Sequence, residues 1–304
     1  MRPLVYLLLA STALGACGTT ARQASASATA DSAAASRHGS VQLPSGLQLH
    51  YVEQGRQEGQ VVVLLHGYTD SYRSFDLVLP LLPRDVRVFA LDQRGHGDSS
   101  RPDCCYAQSD FASDVVAFLD SQRIPRAVLV GHSMGSFIAQ QVALEHPDRV
   151  QALVLIGSAP TVRGNPVAAE LKNAVDSLSD PIDPAFVRDF QASTFLRPIP
   201  PSFLDIAVSE SLKVPARVWK ASLDGLIAED HVSRLGRISA PTLVVGGDKD
   251  GFFPVADQRA LVDALPHASL VFYEETGHAP HVELPQRFVQ DLMRFLRAPV
   301  TERR

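Results

Sequence analysis

Ala127-Val-Leu-Val-Gly-His-Ser-Met-Gly-Ser-Phe-Ile-Ala-Gln-Gln-Val-Ala-Leu144 changes its period in the middle. Ala127 to Val130 is a short apolar, β-branched run and reads as a buried strand. After Gly131-His132-Ser133-Met134-Gly135, the residues Phe137, Ile138, Gln141, Val142 and Leu144 fall at helical spacing, and the pattern stops before Pro147. Strand, tight turn and helix follow one another without a gap. Two glycines let such a turn close sharply against its neighbours. The turn thrusts Ser133 into the open, above a helix N-terminus whose unpaired N–H groups and positive dipole end favour negative charge. A serine so placed is suited to attack a carbonyl. His132 reads as a packed, hydrogen-bonded side chain rather than a second base.

The remainder of the chain is compatible with a sheet built around this stretch. Its 304 residues are 45% hydrophobic and 20% charged with net charge −5, enough for a sizeable core. Mild acidity argues against nucleic acid, and the sequence holds no basic run, internal repeat or Walker-type phosphate loop. Val41 to Glu53 carries two strand patterns around Pro44-Ser-Gly46. Val61 to Leu65, Val86 to Leu91, Ala152 to Ile156, Thr242 to Val245 and Ser269 to Tyr273 are further apolar strand runs. Amphipathic helices are expected over Asp110 to Leu119 and Pro285 to Leu296. Strands and helices in alternation predict an α/β fold with a mostly parallel sheet of roughly eight strands and helices on both faces.

The N-terminus is of another kind. Arg2, the apolar run Leu4 to Ala10 and the small residues after it read as a signal peptide over residues 1–16. Leu14-Gly15-Ala16-Cys17 resembles the lipobox of bacterial lipoproteins. That resemblance implies cleavage before Cys17 and lipid on its new N-terminus, an anchor made stable by several acyl chains. Gly18 to His38 is rich in Ala, Ser and Thr and reads as a flexible tether, so residues 17–38 form a lipidated linker and 39–304 the folded domain. Gly18 directly after the cysteine resembles lipoproteins sorted to the outer membrane. The expected location is the bacterial cell envelope, lipid-anchored and facing the periplasm or exterior. With Cys17 lipidated, Cys104 and Cys105 are the remaining thiols, and an oxidising compartment leans them toward a vicinal disulfide.

His66-Gly67, Asp92-Gln-Arg-Gly-His-Gly-Asp-Ser99, Gly131-His-Ser133-Met-Gly135 and Gly277-His278 occur in that order. As a set they resemble the α/β-hydrolase superfamily, in its branch of single-domain esterases and C–C bond hydrolases, over about residues 41–297. The resemblance implies Ser133 as nucleophile, an aspartate as acid and His278 as base, with backbone N–H groups of Tyr68 and Met134 forming an oxyanion hole. It implies no cofactor. Serine at the turn departs from the haloalkane dehalogenases and epoxide hydrolases, which carry aspartate there. The Asp92 segment reads as a structural turn, and His66, with no second ligand at a useful spacing, as structural rather than a metal ligand.

From about 160 to 238 the strands stop and proline-broken helical stretches take over, which reads as a helical lid inserted before the seventh strand. Some of its apolar side chains should line a pocket over Ser133, with Phe203 and Trp219 as candidates. Two positions stay in competition. His281 rivals His278 as base. Asp248 rivals Asp250 as acid, although Gly247, Asp250 and Pro254 fit the family spacing and Asp248 reads as a turn residue. The expected activity is hydrolysis of a small or medium carboxylic ester through an acyl-enzyme. A C–C bond hydrolase or lactonase, an acyltransferase, and a non-catalytic binding protein on this fold are the alternatives.

Overall fold

The computed structural model describes residues 36–298. The expected signal segment, Cys17 and the expected tether up to residue 35 lie outside the described residues, and Arg37 and His38, expected to end the tether, instead begin a strand because they pair with the next one. Eight strands form one sheet: β1 (Arg37–Gln42), β2 (Gln48–Gln54), β3 (Gln60–Leu65), β4 (Val86–Leu91), β5 (Ala127–His132), β6 (Val150–Ile156), β7 (Thr242–Gly247) and β8 (Ala268–Tyr273). Their spatial order is β1-β2-β4-β3-β5-β6-β7-β8. The hairpin β1–β2 and the β2–β4 pair are antiparallel, and the other pairs are parallel. The helices are α1 (Gln108–Ser121), α2 (Met134–Glu145), α3 (Pro166–Asp176), α4 (Pro184–Ser193), α5 (Pro201–Leu212), α6 (Ala216–Ala228), α7 (Val255–Ala264), α8 (Pro280–Glu283) and α9 (Pro285–Arg297).

Strand alternation sorts the core into two layers. Val63, Leu65, Phe89, Leu91, Leu129 and Leu153 join Phe111 of α1, Phe137 of α2 and Leu261 of α7 on one face. Val62, Leu64, Val88, Val130, Val154 and Ile156 meet α9 on the other. Every residue of β5 is buried, which is why a central parallel strand reads as a continuous apolar run. On α9, Phe288, Val289, Leu292, Met293, Phe295 and Leu296 form the buried stripe. Each such side chain contributes about 1.5–3 kcal/mol when fully buried.

The link from β3 to β4 holds two 3₁₀ turns, Tyr72–Phe75 and Leu79–Leu81, in place of a full crossover helix. Pro80 and Pro83 remove backbone donors three residues apart, so a longer helix cannot propagate there. Cys104 and Cys105 are joined as a vicinal disulfide.

Between β6 and β7 the chain runs through α3 to α6. The prolines that interrupt this segment start its helices. Pro166, Pro184 and Pro201 take the first position of α3, α4 and α5, where the missing N–H costs nothing, and Pro215 caps α6. Helix α3 packs on α6, and α4 on α5. The segment after α4 is tied to the loop after β8. The Glu283 carboxylate accepts the N–H groups of Gly277 at 2.9 Å, Arg197 at 2.7 Å and Leu196 at 3.2 Å. The His278 N–H donates to the Thr194 carbonyl at 3.0 Å.

Several buried histidines stay neutral in this core. Burial pushes His66 and His231 down to about 4, and His96 and His281 down to about 3. His66 shows why. Its Nδ1–H donates to the Gly67 carbonyl at 2.8 Å while Nε2 accepts the Gln93 N–H at 3.0 Å, so a second proton has no room. A histidine whose pKa is depressed on folding contributes stability that is whole above the unfolded value and lost as pH falls toward the folded one. The carboxyls of Asp70, Asp76, Asp114 and Asp257, raised by desolvation, and His50, raised by its bond to Asp92, work the other way. The buried histidines carry the larger shifts. The urea midpoint should therefore fall as pH is lowered from 6.5 to 4.5, with each histidine contributing up to about 1.4 kcal/mol per pH unit. A midpoint that is flat or rises over that range contradicts the assignment.

Candidate active site

Of the residues from 127 to 144, Ser133 and no other is less than fully buried. Its backbone sits at φ 50°, ψ −119°, a conformation that costs a non-glycine residue roughly 1–3 kcal/mol. The surroundings fix it there. The Ser133 N–H donates to the Ile156 carbonyl at 2.9 Å, and the Ser133 carbonyl accepts from the Ser136 N–H at 2.8 Å and its hydroxyl at 2.6 Å. A Cβ on Gly131 would lie 2.2 Å from the Gly135 carbonyl oxygen, and one on Gly135 would lie 2.2 Å from that of Leu65. Only glycine permits this backbone to close on itself and on β3.

The loop after β8 brings His278 to the same end of the sheet, and the loop after β7 brings Asp250. The His278 Nδ1–H faces both Asp250 oxygens, at 3.0 and 2.9 Å. Asp250 also accepts the N–H groups of Phe252 at 2.8 Å and Phe253 at 3.0 Å, so the carboxylate cannot turn away. With Nδ1 donating, the neutral ring carries its lone pair on Nε2. Asp248 faces elsewhere. It accepts the Thr276 N–H at 3.3 Å and pairs with Lys249 at 2.9 Å at the surface, shaping the turn. The carboxylate on the His278 ring is that of Asp250.

His281 is buried with neither ring nitrogen partnered among the described residues, against the rings of His132 at 4.5 Å and Phe75 at 5.2 Å between centroids. His132 is buried too, and its Nε2–H donates to the His278 carbonyl at 3.2 Å. Desolvation, with the neighbouring imidazoles, holds it well below the usual histidine range.

Ser133, His278 and Tyr68 lie on the wall of one cavity beneath α3 to α6. The cavity volume is about 60 Å³, several times what one water needs. Leu171, Leu223, Leu226, Phe203 and Phe252 supply apolar wall. Trp219 does not reach the cavity. It is fully buried in the roof against Tyr68, Phe186 and Phe190, and the Tyr68 hydroxyl donates to its carbonyl at 2.7 Å. The N–H of Met134 opens α2 and has no acceptor within the helix. Among the described residues no acceptor takes the Tyr68 N–H either. Sequence reasoning passed over Asp70 and Gln191, which also line the cavity. Asp70 follows Tyr68 by two residues in the same loop, a signal that could have been used. A third group, His50, Asp92 and Asp98, brings three ligand-type atoms together away from the cavity. The Asp92 oxygens there already accept the N–H groups of Tyr72 and Asp98 and face the His50 ring, so the cluster ties β2 to the turn after β4.

The profile of the family described as alpha/beta hydrolase fold matches residues 60–285. Relatives cover most of the chain and nearly all of their own length. RutD of Variovorax paradoxus, which carries the name of a carbamate hydrolase, is 34% identical over 82% of this chain and 96% of its own. A 2-hydroxymuconate semialdehyde hydrolase of Pseudomonas sp. strain CF600 is 30% identical over 84% and 92%. A pimeloyl-acyl-carrier-protein methyl ester esterase of Chromobacterium violaceum is 30% identical over 79% and 95%. With an eight-stranded, mostly parallel sheet, the strained serine turn and these matches together, the chain belongs to the α/β-hydrolase fold family of enzymes.

Proposed function

We propose that this chain is a serine hydrolase that cleaves a small or medium carboxylic ester through an acyl-enzyme. The observation that carries the reading is the convergence of Ser133 and an Asp250-backed His278 on one largely apolar cavity. His278 Nε2 takes the Ser133 proton as Oγ bonds to the ester carbonyl carbon. The oxygen that becomes negative is received by the N–H groups of Tyr68 and Met134. The C–O bond to the alcohol then breaks, and the imidazolium returns its proton to the leaving oxygen. Water repeats the sequence on the acyl-serine and frees the acid. Asp250 holds the imidazole in the useful tautomer throughout. Helices α3 to α6 act as a lid that excludes bulk water. The name of the esterase relative supports an ester. The 2-hydroxymuconate semialdehyde hydrolase relative supports C–C bond cleavage by the same three residues as the second reading.

The anchor is part of the proposal. Cys17 carries lipid and holds the hydrolase in the bacterial envelope. The motive is the apolar run that ends in Leu14-Gly-Ala-Cys17. Metabolic palmitate should label the wild type and not Cys17→Ser, and equal labelling of both refutes the anchor.

For the chemistry, a fluorophosphonate probe should label the wild type and leave Ser133→Ala untouched. Asp250→Asn should lose on the order of 10⁴ in kcat because the imidazole loses its orientation. Asp248→Asn should cost about 1 kcal/mol of stability or less, with a modest loss of rate. No labelling of the wild type, or a dead Asp248→Asn beside an active Asp250→Asn, would overturn the assignment.

A further inference from the structure

Of the charged groups on the cavity wall that the proposed chemistry leaves unused, Arg73 and Glu210 pair with Asp76 and Lys213, and Asp70 has no ion-pair partner of opposite fixed charge among the described residues. It stands two residues beyond Tyr68, in a loop pinned by its own N–H donating to the Gly67 carbonyl at 3.3 Å. Its side chain is 14% exposed, on the wall that also holds Ser133 and His278. One carboxylate oxygen accepts from Gln191 Nε2, on α4, at 3.0 Å. The other lies 4.0 Å from His132 Nδ1, too far for a direct hydrogen bond, and the carboxylate also has the Gly67 N–H as a backbone donor. His132 already donates through Nε2, so its neutral ring turns a lone pair toward Asp70. Two acceptors therefore face each other, and His132 Nδ1 has no donor among the described residues. Among the described residues no lysine or arginine pairs with Asp70. Arg73, on the same cavity wall, is spent on Asp76 at 2.9 Å.

A buried acceptor without a donor, such as His132 Nδ1, is costly, so this stretch of the cavity wall is short of donors. We infer that Asp70 reads the substrate: its carboxylate accepts a hydrogen bond from a hydroxyl group carried by the ester. This rests on the ester-hydrolase reading and adds the substrate class. Other polar groups fit worse. A keto oxygen or carboxylate brings no donor and meets the charge of Asp70. An ammonium brings a donor, but the cavity wall is otherwise mainly apolar, and two desolvated charges there lose much of what their attraction gains. A hydroxyl desolvates one neutral group and gains a charge-assisted bond. Burial raises the Asp70 carboxyl to about 6, so it is still mostly ionised, and the stronger acceptor, at neutral pH.

The test is a set of size-matched esters on the full chain. Methyl 3-hydroxybutyrate against methyl 3-methylbutyrate places the hydroxyl on the acyl side. 2-Hydroxyethyl butyrate against propyl butyrate places it on the alcohol side, and 2-aminoethyl butyrate offers an ammonium instead. The wild type should favour one hydroxylated ester over its partner by about 10- to 100-fold in kcat/KM. In Asp70→Asn and Asp70→Leu that ratio should shrink to about threefold or less. If Asp70→Leu does not fold, the near-isosteric Asp70→Asn decides alone. A wild type that cleaves the plain esters with no hydroxyl preference overturns the inference and leaves the hydrolase reading standing. So does a 2-aminoethyl ester that outruns its hydroxyethyl counterpart, or a preference that survives in Asp70→Asn. Absence of both ester cleavage and fluorophosphonate labelling removes the hydrolase reading and this inference with it.

Discussion

The backbone of Gly135 lies so close to the end of β3 that a single added carbon would sit 2.2 Å from the Leu65 carbonyl oxygen. Much of the site depends on that approach. It lets α2 start directly from β5, which forces the intervening residue into a positive-φ turn. Ser133 is the residue caught there, and the turn aims it away from the core that buries all its neighbours. The same approach brings the first N–H of α2 toward the loop that carries Tyr68. Strain of roughly 1–3 kcal/mol is tolerable because the hydrogen bonds to Ile156 and Ser136 over-determine the turn. The sheet thus supplies a candidate nucleophile and the unpaired first N–H of α2 from one local constraint.

The other half of the site comes from far along the chain and is held by different means. Asp250 and His278 sit on loops, which would be mobile if left alone. Two backbone N–H groups fix Asp250, and Asp250 fixes the His278 ring. Glu283 then fastens the His278 loop to the segment after α4 by accepting three N–H groups from both sides. The insert over the cavity and the imidazole beneath it are therefore one mechanical unit at this corner. Any opening of α3 to α6 for substrate entry has to hinge elsewhere or break bonds next to His278.

Much of this was legible in the residues. The strands are short apolar runs bounded by Gly, Pro and Asp, and the change of period at Gly131 marks the turn. The spacing Gly247, Asp250, Pro254 separates Asp250 from Asp248, and the carboxylate found on the imidazole is that of Asp250. What could not be read was whatever depends on three-dimensional packing. Trp219 looked like pocket wall because it is large, apolar and in the insert, yet it is roof filling behind Tyr68. The interrupting prolines looked like breaks and prove to be helix starts. Asp70 sits two residues past Tyr68, but that spacing alone does not show that it faces His132, the last residue of β5, at the cavity wall.

The central claim is that the strained turn makes Ser133 the group that carries the acyl chain. Rapid mixing of the full chain with p-nitrophenyl butyrate, followed by intact-mass and peptide mapping of acid-quenched samples, tests it directly. The account predicts a burst of p-nitrophenol close to one per chain when deacylation is the slower step. It also predicts a butyryl increment that maps to the peptide containing Ser133 under any balance of rates that lets the intermediate build up. Turnover with the acyl group found on another residue, or turnover that leaves Ser133 unmodified under all such conditions, would contradict it.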